Sequence, residues 1–157
     1  MLWTPNSKYM REPLLKILKA DPRITLPKYE SESAAGMDLR SFLDEDVCIP
    51  PLARVKIPTG LKLEIPQGYE AQVRPRSGLA IKTGLTVLNS PGTIDSDYRG
   101  DLEIILINLG SENVIIKDGE RIAQLVVAPV SRVNIEEAKE LTLTKRGGAG
   151  FGSSGVN

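Results

Sequence analysis

Residues 55–73 read VKIPTGLKLEIPQGYEAQV, and this stretch decides the fold class. Apolar and polar residues alternate within each short run, and Pro-x-Gly separates the runs at 58–60 and 66–68. A period of two is typical of half-buried strands, and Pro with Gly is typical of the turns between them. We therefore expect three short antiparallel strands here, with turns at 58–60 and 66–68.

The same pattern extends outward in both directions. We expect further strands at 14–20, 102–107, 114–116 and 122–127, and the apolar run 102–107 is suitable for burial on both faces. Residues 135–143 favour helix by composition but end in Leu-Thr-Leu-Thr, so their structure stays open. Eleven prolines disfavour long helices. Short strands at this spacing predict an all-β sandwich, jelly roll or barrel.

Composition excludes several function classes. The chain has 157 residues, enough for one domain, and 20 basic residues balance 20 acidic ones. A net charge of zero argues against binding a nucleic acid polymer or an anionic membrane. We find no apolar run typical of a signal peptide or membrane span, so we expect a cytoplasmic location.

The single cysteine and the missing histidines restrict the chemistry further. Cys48 lies in a predicted strand, where a buried or half-buried thiol is expected. Without histidine there is no ordinary zinc site and no Ser–His or Cys–His nucleophile. Any catalysis must therefore use carboxylates, arginines, hydroxyls and a hard cation.

Three polar segments are candidates for that chemistry. RPRSG at 74–78 combines arginines that suit phosphate with a hydroxyl, although it also fits a solvated turn. TIDSDYRGD at 93–101 is dense in carboxylates, although it also fits a polar turn between strands. The glycine-rich residues 145–157 fit either a disordered tail or an arm that orders over a ligand. No P-loop or dinucleotide-binding fingerprint is present.

Taken in order, five segments resemble the motifs of the trimeric dUTP diphosphatases. They are AAGMDL at 34–39, RPRSGLA at 74–80, the segment from Asn89 through DSDYRG at 95–100, GERIAQL at 119–125, and RGGAGFGS at 146–153. The departures are small: Ser41, Ala149 and Ser154 stand where the family usually has Ala, Gly and Thr. Ala149 matters most, because it resists the positive φ that a glycine accepts.

The resemblance implies a homotrimer of distorted jelly rolls (the β-clip fold) with active sites at the subunit interfaces. It divides the chain into an N-terminal extension at 1–12, a β domain at 13–144 and a flexible arm at 145–157 that closes over a neighbouring site. It also implies hydrolysis of dUTP to dUMP and pyrophosphate, with Mg²⁺ as cofactor.

Individual roles follow from the resemblance. Asp95 would be the catalytic base, and Asp38 would reach Mg²⁺ at most through water. A β-hairpin from Asn89 to Glu103 would accept the nucleoside, and Tyr98 would exclude a 2′-hydroxyl. The residues implied to bind substrate are Arg76, Ser77, Gly78, Asn89, Gly92, Thr93, Ile94, Asp95, Tyr98, Glu103, Gln124, Arg146, Phe151, Gly152 and Ser153.

Two other functions remain open at this point. A dCTP deaminase shares the implied fold and would release ammonia from dCTP. A trimeric regulatory protein that only binds nucleotide would need a defect at Asp95, Tyr98 or Arg146, and all three residues are present.

Overall fold

The computed structural model describes residues 12–150, which form short strands and one short helix. Their bounds are β1 Lys16–Lys19, β2 Met37–Arg40, β3 Val47–Ile49, β4 Arg54–Glu64, β5 Tyr69–Arg74, α1 Ser77–Thr83, β6 Leu85–Val87, β7 Gly92–Ile94, β8 Asp101–Asn108, β9 Val114–Ile116 and β10 Arg121–Pro129. The predicted strand at 14–20 is confirmed as β1. No described residue between 130 and 150 belongs to a helix or a strand, so the open segment 135–143 is irregular.

The strands form two four-stranded antiparallel sheets and a two-stranded ribbon. The first sheet has the order β1-β4-β8-β6, the second β2-β10-β5-β7, and β3 pairs with β9. Both sheets contribute completely buried side chains to one core, including Leu39, Leu106 and Leu125. Apolar burial on this scale is the main favourable term in folding. The all-β jelly-roll prediction is confirmed.

The predicted turn at 58–60 is wrong, because β4 runs through it without reversing. β4 pairs with β8 from Arg54 to Pro58 and again at Lys62, and the register shifts between Pro58 and Lys62. Gly60 has a φ of 67°, which a glycine adopts without penalty. Pro58 and Gly60 therefore bend one strand at a bulge. The second turn, at 66–68, is confirmed by the hydrogen bond that Tyr69 N donates to Pro66 O at 3.2 Å.

Two predictions about burial are also wrong. Along β8 the residues alternate: Leu102, Ile104 and Leu106 are buried, whereas Ile105 is only half-buried, so one face packs on the core. Cys48 lies in β3 as expected, but its side chain is exposed because Ile49 takes the inward position. Strand pleat decides both cases, since neighbouring residues point to opposite faces.

The short helix α1 was not predicted from the sequence. It follows β5 directly, and Arg76 occupies its N-cap position in an extended conformation. Gly84 ends it with a φ of 73°, and the Gly84 N–H donates to Ala80 O. Glycine just past a helix end is a recognised stop signal. No described helix has the length and apolar composition needed to cross a membrane.

Leu52 has a left-handed backbone conformation, with a φ of 62°, and is 75% exposed. A non-glycine residue pays roughly 1–2 kcal/mol for this conformation, and asparagine tolerates it better. We expect Leu52→Asn to raise the free energy of unfolding by about 0.5–1 kcal/mol, measured by urea denaturation. Leu14→Asn, at a 69% exposed position without positive φ, is the control and should give no gain. Equal effects at both positions would show that strain at Leu52 is not the cause.

Candidate active site

A cavity of about 260 Å³ opens between the two sheets, and we call it the inter-sheet pocket. It brings together seven residues that the resemblance assigns to substrate binding: Asn89, Gly92, Thr93, Ile94, Asp95, Tyr98 and Glu103. Strands β5 and β7 of one sheet and β4, β6 and β8 of the other provide its walls. A largely apolar cavity with a few converging polar groups is typical of a small-molecule site.

The predicted β-hairpin has β6 and β8 as its antiparallel arms, and the chain from Asn89 to Glu103 is their long connection. Leu88 N donates to Ile105 O at 2.9 Å, and beyond this bond β7 leaves the first sheet and pairs with β5 of the second. The start and the end of the segment therefore lie side by side in the first sheet, and its middle reaches the second sheet. The hairpin and the pairing of β7 with β5 together bring the predicted residues to the pocket.

Strand β7 sets the direction of the polar groups. Gly92 and Ile94 are buried opposite Val73 and Ala71 of β5, and Thr93 between them is exposed. Asp95 follows the last residue of β7 and also lines an adjoining cleft of about 630 Å³. Asp95 therefore lies where the two cavities meet.

Tyr98 forms part of the pocket wall. Its side chain is 48% exposed, and its hydroxyl donates a hydrogen bond to Asp101 O at 3.1 Å. This bond ties the ring to the first residue of β8. A half-exposed aromatic ring held in this way offers an open face to a ligand.

Lys56 is a pocket residue that sequence reasoning missed. Its Nζ lies 2.7 Å from Glu103 Oε2, and both side chains line the pocket. The hydrogen bond to Glu103 and the charge of that carboxylate raise the pKa of Lys56 above its usual value. Lys56 lies in none of the five motifs, and only the pairing of β4 with β8 brings it to this wall.

A second set of predicted residues forms what we call the arginine cluster: Asp38, Arg76 and Arg121. Asp38 Oδ1 lies 2.8 Å from Arg76 Nε, and Asp38 Oδ2 lies 3.2 Å from Arg121 Nη1. Arg76 Nη1 also donates to Arg121 O at 3.2 Å. The side chain of Asp38 is only 16% exposed. Arg121 had been quoted within a motif without a role, and the structure shows that it shares Asp38 with Arg76.

Gln124, Ser77 and Gly78 lie next to this cluster along the chain. Gln124 Nε2 donates to Pro75 O at 2.9 Å, which joins β10 to the end of β5. Ser77 and Gly78 are exposed in the first turn of α1, where backbone N–H groups have no intrahelical partner. These groups are therefore available to an anion.

The remaining predicted site residues belong to the arm. Arg146 is exposed, and its Nε donates to Ala149 O at 2.9 Å. Phe151, Gly152 and Ser153 lie outside the described residues. Among the residues that line the inter-sheet pocket, none belongs to the arginine cluster or to the described part of the arm.

A metal ion would find few protein ligands in the described part of the chain. Residues 12–150 contain no group of three or more histidine, cysteine, aspartate or glutamate side chains placed to hold one. Asp38 already pairs with two guanidinium groups, although a carboxylate has about four lone-pair sites and can still accept a water. The residues present fit Mg²⁺ that arrives with a phosphate ligand and keeps its waters.

Comparisons with known proteins agree with this geometry. A model of the dUTPase family matches residues 22–155. The deoxyuridine 5′-triphosphate nucleotidohydrolase of Hydrogenobaculum sp. is 55% identical over 143 residues, 91% of this chain and 97% of the relative. The enzyme of the same name from Rhizobium meliloti is 50% identical over 157 residues, 98% of each chain.

A solved structure supports the fold as well. The Staphylococcus bacteriophage 80alpha dUTPase with dUPNHPP has a TM-score of 0.79 and 29% sequence identity, and the match covers 91% of this chain and 99% of that one. The sandwich of two four-stranded sheets, the pocket between them and the ordered motifs are consistent with these matches. The chain belongs to the dUTPase family.

Proposed function

We propose that this protein hydrolyses dUTP to dUMP and pyrophosphate by attack of water on the α-phosphorus. The observation that carries the proposal is the inter-sheet pocket, which joins an apolar wall to Asn89, Asp95 and Tyr98 in one cavity. The names of the relatives, deoxyuridine 5′-triphosphate nucleotidohydrolase, support the same substrate.

The pocket accepts the uracil edge through polar groups of the segment 89–103. Asn89 and the backbone around Thr93 and Ile94 provide donors and acceptors there. Cytosine presents the reversed pattern and would leave polar groups of the site unpaired, which gives strong rejection. The methyl group of thymine would clash with the narrow wall.

Tyr98 selects the deoxyribose. Its ring lies under the sugar and leaves no room for a 2′-hydroxyl. The hydroxyl bond to Asp101 O keeps the ring in that place. Exclusion of the 2′-hydroxyl then depends on the fixed position of the Tyr98 ring and needs no polar contact with the sugar.

Asp95 is the catalytic base and also contacts the 3′-hydroxyl. Its carboxylate orients a water and accepts a proton as the water oxygen bonds to the α-phosphorus. The bond from the α-phosphorus to the oxygen that bridges to the β-phosphorus breaks, and pyrophosphate leaves with that electron pair. Catalysis comes mainly from positioning and charge stabilisation, as is usual for phosphoryl transfer.

Arg76, Ser77, Gly78 and Gln124 grip the phosphate chain. Arginine suits phosphate because its planar fork donates two parallel hydrogen bonds. Bound Mg²⁺ would neutralise charge on the phosphate oxygens, with Asp38 reached only through water. Asp38 also holds Arg76, so the guanidinium is already oriented before the nucleotide binds.

The site is completed by further copies of the chain in a homotrimer. One chain lines the inter-sheet pocket without any residue of the arginine cluster, which supports contribution of the phosphate grip by a neighbour. The arm of another copy then crosses over. Its Arg146 clamps the γ-phosphate, Phe151 stacks on the uracil, and Gly152 and Ser153 add contacts. Closure of such an arm excludes bulk water.

The reaction has two consequences for the cell. Removal of dUTP limits the incorporation of uracil into DNA, and the product dUMP supplies the synthesis of dTMP. A cytoplasmic location fits the exposed free thiol of Cys48, since reducing compartments keep such thiols unpaired.

Incubation of the purified protein with each dNTP and Mg²⁺ tests the proposal, with pyrophosphate and ammonia assayed in parallel. We expect pyrophosphate from dUTP and none above background from dCTP, dTTP, dATP or dGTP. Ammonia from dCTP would support a deaminase instead. Binding of dUTP without turnover would support a regulatory protein.

A further inference from the structure

Gly100 lies directly against the ring of Tyr98. A Cβ placed ideally at residue 100 would approach Tyr98 Oη most closely, and it would lie 2.5 Å from Cζ and 2.9 Å from Cε2. Contacts this short are not found between real atoms, so an added methyl group would force a movement. The space that a side chain would occupy at residue 100 is filled by the end of the tyrosine.

The backbone gives no other reason for a glycine at this position. The glycines with positive φ among the described residues include Gly60, Gly68, Gly84 and Gly119, but Gly100 is not among them. Any L-residue can adopt its conformation without left-handed strain. A glycine is therefore required at residue 100 because it has no side chain, and not because of its backbone conformation.

Tyr98 is the group that would move. Its side chain is half-exposed and is held by a single hydrogen bond, whereas Gly100 is joined directly to β8. The hydroxyl bond to Asp101 O is the only hydrogen bond that the Tyr98 side chain makes within the described residues. Displacement of the ring would break this bond and free the pocket wall.

We propose that Gly100 is a positioning residue for substrate specificity: by lacking a side chain it seats the Tyr98 ring, and the seated ring discriminates deoxyribose from ribose. This inference rests on the proposed function and adds a second residue to its sugar selection. Gly100 itself touches no substrate. A Tyr98 ring that is no longer held in place excludes the 2′-hydroxyl less well.

The neighbouring Gly92 shows how specific this contact is. A Cβ there would meet Asn89 Nδ2 at 3.2 Å and Val73 Cβ at 3.4 Å, contacts that small shifts can relieve. The three atoms nearest to a Cβ at Gly100 all belong to the Tyr98 side chain. The effect of a methyl group at residue 100 is therefore expected to depend on the tyrosine.

A double-mutant cycle with Gly100→Ala and Tyr98→Ala tests the proposal. The readout is the ratio of kcat/KM for dUTP to kcat/KM for UTP, with Mg²⁺ present. We expect Gly100→Ala to lower this ratio at least about 10-fold in the presence of Tyr98. In the Tyr98→Ala background the same change should alter it by less than about 2-fold, because the clash no longer exists.

Thermal unfolding of the same four proteins covers the case in which Gly100→Ala fails to fold. Removal of the ring in the double variant should then restore folding, which would support the same contact. The proposal is overturned if Gly100→Ala leaves the ratio unchanged, or lowers it equally in both backgrounds. Failure of the proposed function is distinct, since the unmodified protein would then not hydrolyse dUTP.

Discussion

Asp95→Asn is expected to lower kcat for dUTP by at least about 10²-fold, because the amide cannot accept a proton from water. Asp95 follows β7 and lines both the inter-sheet pocket and the adjoining cleft, so it is placed to meet a reacting water at the rim. The change removes one charge and keeps the size of the side chain. Steady-state release of pyrophosphate, followed with saturating dUTP and Mg²⁺, measures the effect.

Asp101→Asn is the matched control for this experiment. Asp101 is a second carboxylate of the same pocket, with a 62% exposed side chain, and its carbonyl bond from Tyr98 survives the change. We expect its kcat to stay within about 3-fold of the unmodified value, since an exposed carboxylate contributes little. Asp95→Asn with near-normal kcat, or equal losses in both variants, would exclude Asp95 as the base.

Removal of residues 146–157 is expected to lower kcat/KM for dUTP by at least about 10²-fold while the body of the protein stays folded. The loss has a physical reason: the proposed γ-phosphate clamp and the stacking ring both belong to this segment. The body should be unaffected, because the described residues 131–149 are exposed throughout and no hydrogen bond joins them to the sheets. Turnover and thermal unfolding, measured on the same sample, separate the two effects.

A stop after Ser154 provides the control for the truncation. It keeps Arg146, Phe151, Gly152 and Ser153 and removes only the last three residues, so near-normal kcat/KM is expected. Sedimentation analysis of both truncated forms should give the same assembly as the full chain. Full activity without residues 146–157 would show that the segment is a tail without a catalytic role.

The local patterns of the sequence predicted the elements better than their connections. Alternation predicted β5, because the apolar residues of a half-buried strand recur with the pleat, and the apolar residues at 114–116 and 122–127 predicted β9 and β10. The helix α1 was not predicted, because its seven residues are too few to show a helical period. The turn expected at 58–60 failed because Pro and Gly also occur at bulges, and composition alone does not separate the two.

In the candidate site, too, local motifs predicted the residues but not the contacts between distant parts of the chain. The ordered motifs predicted the residues of the inter-sheet pocket, and the structure brings them together. Lys56 was missed because it reaches the pocket only through the pairing of β4 with β8. Arg121 has its place because β10 lies beside β2, which carries Asp38. Both contacts join residues that are distant in sequence, so no local signal marks them.

The sequence by itself determined the fold class, the absence of histidine chemistry and the set of residues available to hold a phosphate-bearing ligand. Those properties depend on residue type and short-range periodicity, which the chain carries without folding. The tertiary structure alone decided that consecutive strands β4 and β5 enter different sheets, that β7 leaves the β6–β8 hairpin to pair with β5, and that Tyr98 lies against Gly100. Such pairings are set by burial of both sheet faces in one core, a free energy that belongs to the whole chain.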